Sequence, residues 1–165
     1  MKQIRSHEIK VGCFVRVNEN EFFPCDMLLL NSSLQKGICY VETKNLDGET
    51  NLKHKQADKR IVAASRSENE ILKSFTGALI ECEQPNEHLY KFDGALTMLD
   101  GQTIALSSDM FLLRGSSLRN TEWVYGVAVF TGHETKVMRN SSNSKAKKSK
   151  IELVTDKYIL VTILI

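Results

Sequence analysis

The chemistry of this chain concentrates in one stretch, Val41-Glu42-Thr43-Lys44-Asn45-Leu46-Asp47-Gly48-Glu49-Thr50-Asn51-Leu52-Lys53. An Asp-Gly pair signals a tight turn, because Gly48 takes positive φ without steric cost and Asp47 can bond its own backbone. That turn puts Glu49 at a tip. A carboxylate there, flanked by the Thr50 hydroxyl and the Asn51 amide, can orient or deprotonate a water for attack on a neighbouring electrophile. Nothing nearby in the chain supplies the electrophile, so a substrate must be brought to the loop. Taken alone, Asp47 to Thr50 also fit a plain hairpin or loop turn with a solvated Glu49.

The elements that must hold this loop are mostly strands. Val11, Cys13, Val15 and Val17 alternate with Gly12, Phe14 and Arg16, the period of a half-buried strand. Met27 to Leu30 and Ile38 to Thr43 continue the β-rich pattern, separated by a loop signal in Ser32, Ser33 and Gly37. Pro24 cannot donate to a ladder and marks an entry or edge position. Ser67-Glu68-Asn69-Glu70 offers a capping box ahead of Ile71, Leu72 and Phe75, which predicts a helix. Leu52 to Ala64 is weaker and fits a short helix or a loop. Ala78 to Glu83 alternates again until Pro85-Asn86 breaks it. Tyr90 to Met98, the Asp100-Gly101 turn and Gln102 to Leu106 predict a hairpin. Trp123 to Thr131 is nearly continuous apolar sequence with β-branching, as expected of a central strand buried on both faces. Many short strands with few helices predict a sandwich, barrel or jelly roll.

Composition sets bounds on function. A chain of 165 residues fits one domain, which buries roughly two thirds of its unfolded surface. Hydrophobic residues at 42% and charged residues at 25% are ordinary for a globular domain and argue against a disordered segment and a polytopic membrane protein. A net charge of +2 implies no general nucleic-acid field, so nucleic acid is not an expected partner. Cys13, Cys25, Cys39 and Cys82 form no C-x-x-C pair and follow no signal peptide, so they are read as reduced thiols, mostly core. His7, His54, His88 and His133 are dispersed and lack metal-ligand spacing.

The Asp47-Gly48-Glu49-Thr50 run followed by Asn51-Leu52-Lys53 closely resembles the actuator domain of type IV P-type ATPases, the eukaryotic phospholipid flippases. The cation-pumping classes carry Thr-Gly-Glu-Ser or a near relative there, so Asp47 and Thr50 favour the lipid class. Val11-Gly12, Phe22-Phe23-Pro24 with Asp26, Cys82-Glu83-Gln84-Pro85-Asn86, Leu113-Arg114-Gly115, Leu118-Arg119-Asn120-Thr121 and Thr131-Gly132-His133-Glu134-Thr135-Lys136 extend the likeness in order and approximate spacing. It covers essentially residues 8 to 155. Cys25 departs from the pattern, where a small residue such as Ala usually precedes the position of Asp26.

The resemblance implies a mainly β, distorted jelly roll, double-stranded β-helix-like, with one or two short helices. It implies an aspartyl phosphate formed with ATP and Mg2+ elsewhere in a longer polypeptide, and no cofactor in this domain. Glu49 would position and activate the hydrolytic water, Gly48 would permit close backbone approach, and Asp47 and Thr50 would shape the loop. Implied partners are the phosphorylation and nucleotide-binding domains of the same polypeptide, its membrane helices and phospholipid substrate, and an accessory β-subunit. The implied location is the cytosolic face of a Golgi, endosomal or plasma membrane.

On this reading residues 1–150 are the actuator domain, and 151–165 are the truncated start of a transmembrane helix. Lys145, Lys147, Lys148 and Lys150 precede the apolar run that ends in Tyr158 to Ile165, the flank expected on the cytosolic side of a membrane span. The run is shorter than the roughly 20 residues a span needs. The other reading of the tail is a final core strand, since Ile159, Val161, Thr162, Ile163 and Ile165 have strand propensity.

Neither a G-x-x-x-x-G-K-[ST] loop nor a G-x-G-x-x-G run occurs, and Asp156-Lys157 continues into Tyr158 rather than into the Asp-Lys-Thr-Gly acceptor signature. The chain is therefore expected to be inactive by itself. Two other classes compete with the actuator reading. One is a non-catalytic β-sandwich binding module with Glu49 merely in a turn. The other is a self-contained hydrolase built on Asp47 and Glu49, which lacks an accompanying nucleophile or metal constellation.

Overall fold

A computed structural model of the chain describes residues 5–142. The readings of 151–165 and of the lysines that precede it lie outside the described residues. Within them the protein is mainly β and jelly-roll-like, with helices that are few and short.

The longest apolar run makes the central strand. Trp123–Phe130 (β10) pairs on one side with Phe14–Asn18 (β1) and on the other with Asp26–Ser32 (β2), which in turn pairs with Phe111–Leu112 (β8). Alternate side chains of Asp26–Ser32 point to opposite faces, as a strand requires. Leu28 and Leu30 enter one apolar cluster with Ile71, Phe75, Phe92, Leu96, Ile104 and Phe111. Met27 and Leu29 enter a second with Phe23, Cys39, Val41, Leu112 and Leu118. The central sheet is thus covered on both faces, which is why its two inner strands read as unbroken hydrophobic runs.

The first face is covered by Leu79–Cys82 (β5), Gly94–Thr97 (β6) and Thr103–Leu106 (β7), a three-stranded antiparallel sheet, and by the helix Glu68–Phe75. That helix starts where its cap predicts, with Ser67 Oγ accepting the Glu70 amide at 3.3 Å. Glu70 reaches back one residue further than a reciprocal box requires, accepting the Arg66 amide at 3.1 Å. The predicted hairpin forms around Asp100-Gly101, but its first strand begins at Gly94 rather than Tyr90. Residues before Gly94 instead send Phe92 into the core, stacked on Phe111 with ring centres 4.0 Å apart.

The second face carries the sheet that matters for the loop. We name its strands β3 (Ile38–Glu42), β4 (Lys53–Gln56) and β9 (Ser117–Arg119), with β3 in the middle. The weak window after the loop resolves into β4 followed by a short helix, Lys59–Ala63, capped by Asp58. The first strand is shorter than its alternation predicts. Gly12 sits at φ 84° and Val11 is 59% exposed, so the regular strand starts at Phe14, with the Cys13 carbonyl and the Gly12 amide both bonded to Ala128 just before it.

Candidate functional site

The loop joins neighbouring antiparallel strands, β3 and β4, whose register pairs Val41 with Lys53. Its path differs from a two-residue hairpin turn. Lys44–Asp47 forms one helical turn, α1, and Gly48 ends it in the left-handed region at φ 77° with its amide on the Lys44 carbonyl at 3.0 Å. A glycine at this position is the common way to stop a helix, since any other residue would strain its Cβ. Glu49, Thr50 and Asn51 follow, all exposed.

Asp47 is the scaffold of the loop rather than its reagent. Its Oδ1 accepts the Glu49 amide at 3.0 Å, and both carboxylate oxygens lie 3.1 Å from the hydroxyl of buried Thr43. Its Oδ2 accepts the Lys53 ammonium at 2.6 Å and the Tyr90 hydroxyl. Partial desolvation raises the proton affinity of Asp47, but the donors from Lys53, Tyr90, Glu49 and Thr43 outweigh it and hold the carboxyl well below the usual range. A carboxylate so fully engaged is a poor base.

Glu49 is placed differently. Its side chain is 55% exposed, and its Oε2 lies 2.8 Å from the Lys53 ammonium. Lys53 therefore bridges the two carboxylates and also sits 4.1 Å from the centre of the Tyr90 ring. Desolvation weakens the hold of Lys53 on its proton, but Asp47, Glu49 and Tyr90 more than compensate and keep it cationic. Thr50 makes no side-chain hydrogen bond among the described residues and lies open at the tip. Of the four residues singled out from sequence, Asp47, Gly48 and Glu49 form one arrangement, and Thr50 only flanks it.

Contacts remote in sequence brace this arrangement. Glu42, at the end of β3, accepts Arg119 Nη2 at 2.9 Å and the Ser117 hydroxyl at 3.2 Å across to β9. Leu46 of α1 packs beside Gly115. Sequence reasoning missed Tyr90, which reaches Asp47 from 43 residues away, and did not assign Lys53 a task. The signal for Lys53 was present, because a lysine shortly after two acidic loop residues is a natural counter-ion.

Two other features carry less chemistry. A cavity of about 410 Å³ opens between the central sheet and the helix Glu68–Phe75, lined by apolar groups such as Phe14, Leu28, Phe75 and Ile80, and no residue from Asp47 to Thr50 borders it. Cys25 and Cys39 are buried thiols pushed up to about 12 by desolvation, too reluctant to ionise to act as nucleophiles. Among the described residues no group of three or more His, Cys, Asp and Glu is arranged to hold a metal ion.

No protein-family model matches the chain. Whole-protein relatives do. The chain is 54% identical over 155 residues to Phospholipid-transporting ATPase 6 of Arabidopsis thaliana, covering 94% of this chain and 12% of that protein. It is 52% identical over 158 residues to the Arabidopsis thaliana Probable phospholipid-transporting ATPase 4, with 96% of the chain and 13% of that protein covered. Against Phospholipid-transporting ATPase DRS2 of Saccharomyces cerevisiae it is 44% identical over 160 residues, 96% of the chain and 12% of the relative. Its homologues are type IV phospholipid-transporting ATPases. The chain corresponds to one segment of them, spanning 12% to 13% of the length of these three relatives. Among the described residues no helix is long and apolar enough to cross a membrane.

Proposed function

We propose that the chain is the actuator domain of a P-type phospholipid flippase and that Glu49 is the base of its dephosphorylation step. The observation that carries this reading is the contrast between two carboxylates in one loop. Asp47 is consumed by four donors, while Glu49 stands exposed at the tip with a single ion pair. The relatives are named as phospholipid-transporting ATPases, and the electrophile that the chain itself lacks is the one its resemblance to P-type actuator loops implies, a phosphorylated aspartate on another domain.

In this reading the loop is brought against an aspartyl phosphate on another domain of the same polypeptide. Glu49 takes a proton from a water as its oxygen bonds to phosphorus, and the bond between phosphorus and the aspartyl oxygen breaks, leaving inorganic phosphate and a free carboxylate. Gly48 keeps the approach open, since the space around its Cα is empty to 4 Å in the direction of a Cβ. Asp47 fixes the backbone of Glu49 through the Glu49 amide, and Thr50 lines the surface that meets the phosphate. The central sheet, covered on both faces, makes the domain stiff enough to turn as a body and pass that motion to membrane helices. The partners are then the phosphorylation and nucleotide-binding domains, the membrane helices with their phospholipid, and an accessory β-subunit, with the domain on the cytosolic face.

Two preparations test the proposal. The purified chain alone neither hydrolyses ATP nor takes up labelled phosphate, because nucleotide cradle and acceptor lie elsewhere. The full-length protein carrying Glu49→Gln loses lipid-stimulated ATPase activity and lipid transport. Turnover by the isolated chain that disappears on substitution of Asp47 or Glu49 would instead establish a self-contained hydrolase.

A further inference from the structure

We infer that Lys53, seated on Tyr90 and tied to Asp47, is the positioning residue that aims Glu49 at the attacking water. The inference rests on the assignment of Glu49 as the base and adds how that base is held.

Glu49 follows a left-handed glycine and emerges on an exposed strip of loop, where a Glu side chain otherwise samples many rotamers. Lys53 is the nearest fixed point. It is the first residue of β4, and its pairing with Val41 of the middle strand anchors its backbone to the sheet. Its side chain is determined from three directions: Asp47 Oδ2 at 2.6 Å, Glu49 Oε2 at 2.8 Å and the face of Tyr90 at 4.1 Å. Tyr90 comes from the irregular segment between Leu79–Cys82 and Gly94–Thr97, and its hydroxyl closes the ring of contacts on Asp47.

Stability alone accounts poorly for this much organisation at a surface. Partly exposed ion pairs of this kind contribute little to folding, and the side chains of Lys53 and Asp47 keep 24% and 20% of their exposure. What the arrangement does accomplish is geometric. Lys53 holds one oxygen of Glu49, so that Oε1 is the atom presented to a water proton. Tyr90 supports the ammonium through its ring and keeps Asp47 in the orientation that binds it. Lys53 neither gives nor takes the reaction's proton; it acts through Glu49. Positioning errors of this kind cost up to about a hundredfold in rate.

The test follows decay of the phosphorylated intermediate in the full-length protein after a chase with unlabelled ATP. Lys53→Met slows decay by about tenfold to a hundredfold, with phosphoenzyme formation and thermal midpoint close to wild type. Tyr90→Leu slows it in the same direction, and Tyr90→Phe, which keeps the ring under Lys53, slows it less. The double variant Lys53→Met with Glu49→Gln decays no more slowly than Glu49→Gln alone, because the lysine works through the missing base. Wild-type decay in Lys53→Met beside a stalled Glu49→Gln overturns the inference and leaves the role of Glu49 standing. A double variant slower than Glu49→Gln by the full factor of Lys53→Met also overturns it, since the two residues then act independently. Normal decay in Glu49→Gln removes the assignment of the base, and this inference with it.

Discussion

The buried carboxylate of Asp26 accepts the backbone amide of Lys136 at 2.7 Å, joining positions 110 residues apart. Its other oxygen accepts the Arg114 amide at 2.8 Å, so one side chain ties the start of the second strand to the turn at Arg114 and to the first residue of the helix Lys136–Ser142. Lys136 is itself fully buried and directs its ammonium to Glu83 at 2.7 Å and to Asn86 Oδ1 at 2.8 Å. Four of the sequence runs that first pointed to a family therefore meet at one polar knot, away from the loop.

This knot predicts a pH dependence. Burial pushes the Asp26 carboxyl up to about 6, against the pull of the two amides and of Lys136 and Arg114. A carboxyl raised on folding contributes stability that is full below the unfolded value of about 4 and is lost as pH rises through its folded value. Asp26→Asn keeps one acceptor and loses the other, at a cost of about 1 to 3 kcal/mol. Thermal melts should show the gap between wild type and Asp26→Asn widening from pH 7 to pH 5. A gap that narrows on acidification would contradict the assignment.

Asp47 predicts the opposite sign. Its carboxyl is held below the ordinary range, so its contribution is full above pH about 4 and disappears as pH falls through the folded value. Asp47→Asn should cost about 1 kcal/mol or less at pH 7, as befits a partly exposed pair. The difference from wild type should shrink between pH 4 and pH 2 in denaturant titrations. A constant difference would mean that the ion pair with Lys53 contributes nothing in solution.

Two glycines separate backbone strain from crowding. At Gly48 a Cβ meets nothing within 4 Å, but φ is 77°, so Gly48→Ala carries only the left-handed penalty of about 1 to 2 kcal/mol. At Gly126 a Cβ would lie 2.3 Å from the Met27 methyl and 2.7 Å from the Leu28 carbonyl oxygen, inside the central sheet. Gly126→Ala should therefore lower the thermal midpoint more than Gly48→Ala, with overpacking of this type costing about 1 to 3 kcal/mol or more. Equal midpoints would show that the central strands shift freely, against the packing described.

The sequence made some of this legible and hid the rest for physical reasons. The run from Trp123 announced the central strand because burial on both faces leaves no polar alternation to read. Ser67 announced its helix because a cap is a local device, satisfied within three residues. Asp47-Gly48 announced an exposed tip but not the helical turn before it, since hairpin turns and helix ends both use a left-handed glycine. Lys53-His54-Lys55-Gln56 carries no apolar alternation to mark a strand, and its strand is imposed by the ladder to β3. Alternation alone carries Val11 into the first strand, whereas the left-handed Gly12 distorts the pairing there and leaves Val11 exposed. Tyr90 on Asp47, and Asp26 on Lys136, carry no local signature at all. Side-chain bonds across 43 and 110 residues exist only once the sheets have brought their ends together.

The most direct measurement is the lifetime of the phosphorylated intermediate in the full-length protein with Glu49→Gln, a change that keeps the side chain's shape and removes its capacity to accept a proton. General-base assistance is worth about 10² to 10⁴ in rate, or roughly 3 to 5 kcal/mol in barrier. Labelled phosphoenzyme should therefore form at the normal rate and then persist longer by that factor, with ATPase activity and lipid transport lost together. Decay at the wild-type rate in a folded Glu49→Gln protein would contradict the central claim.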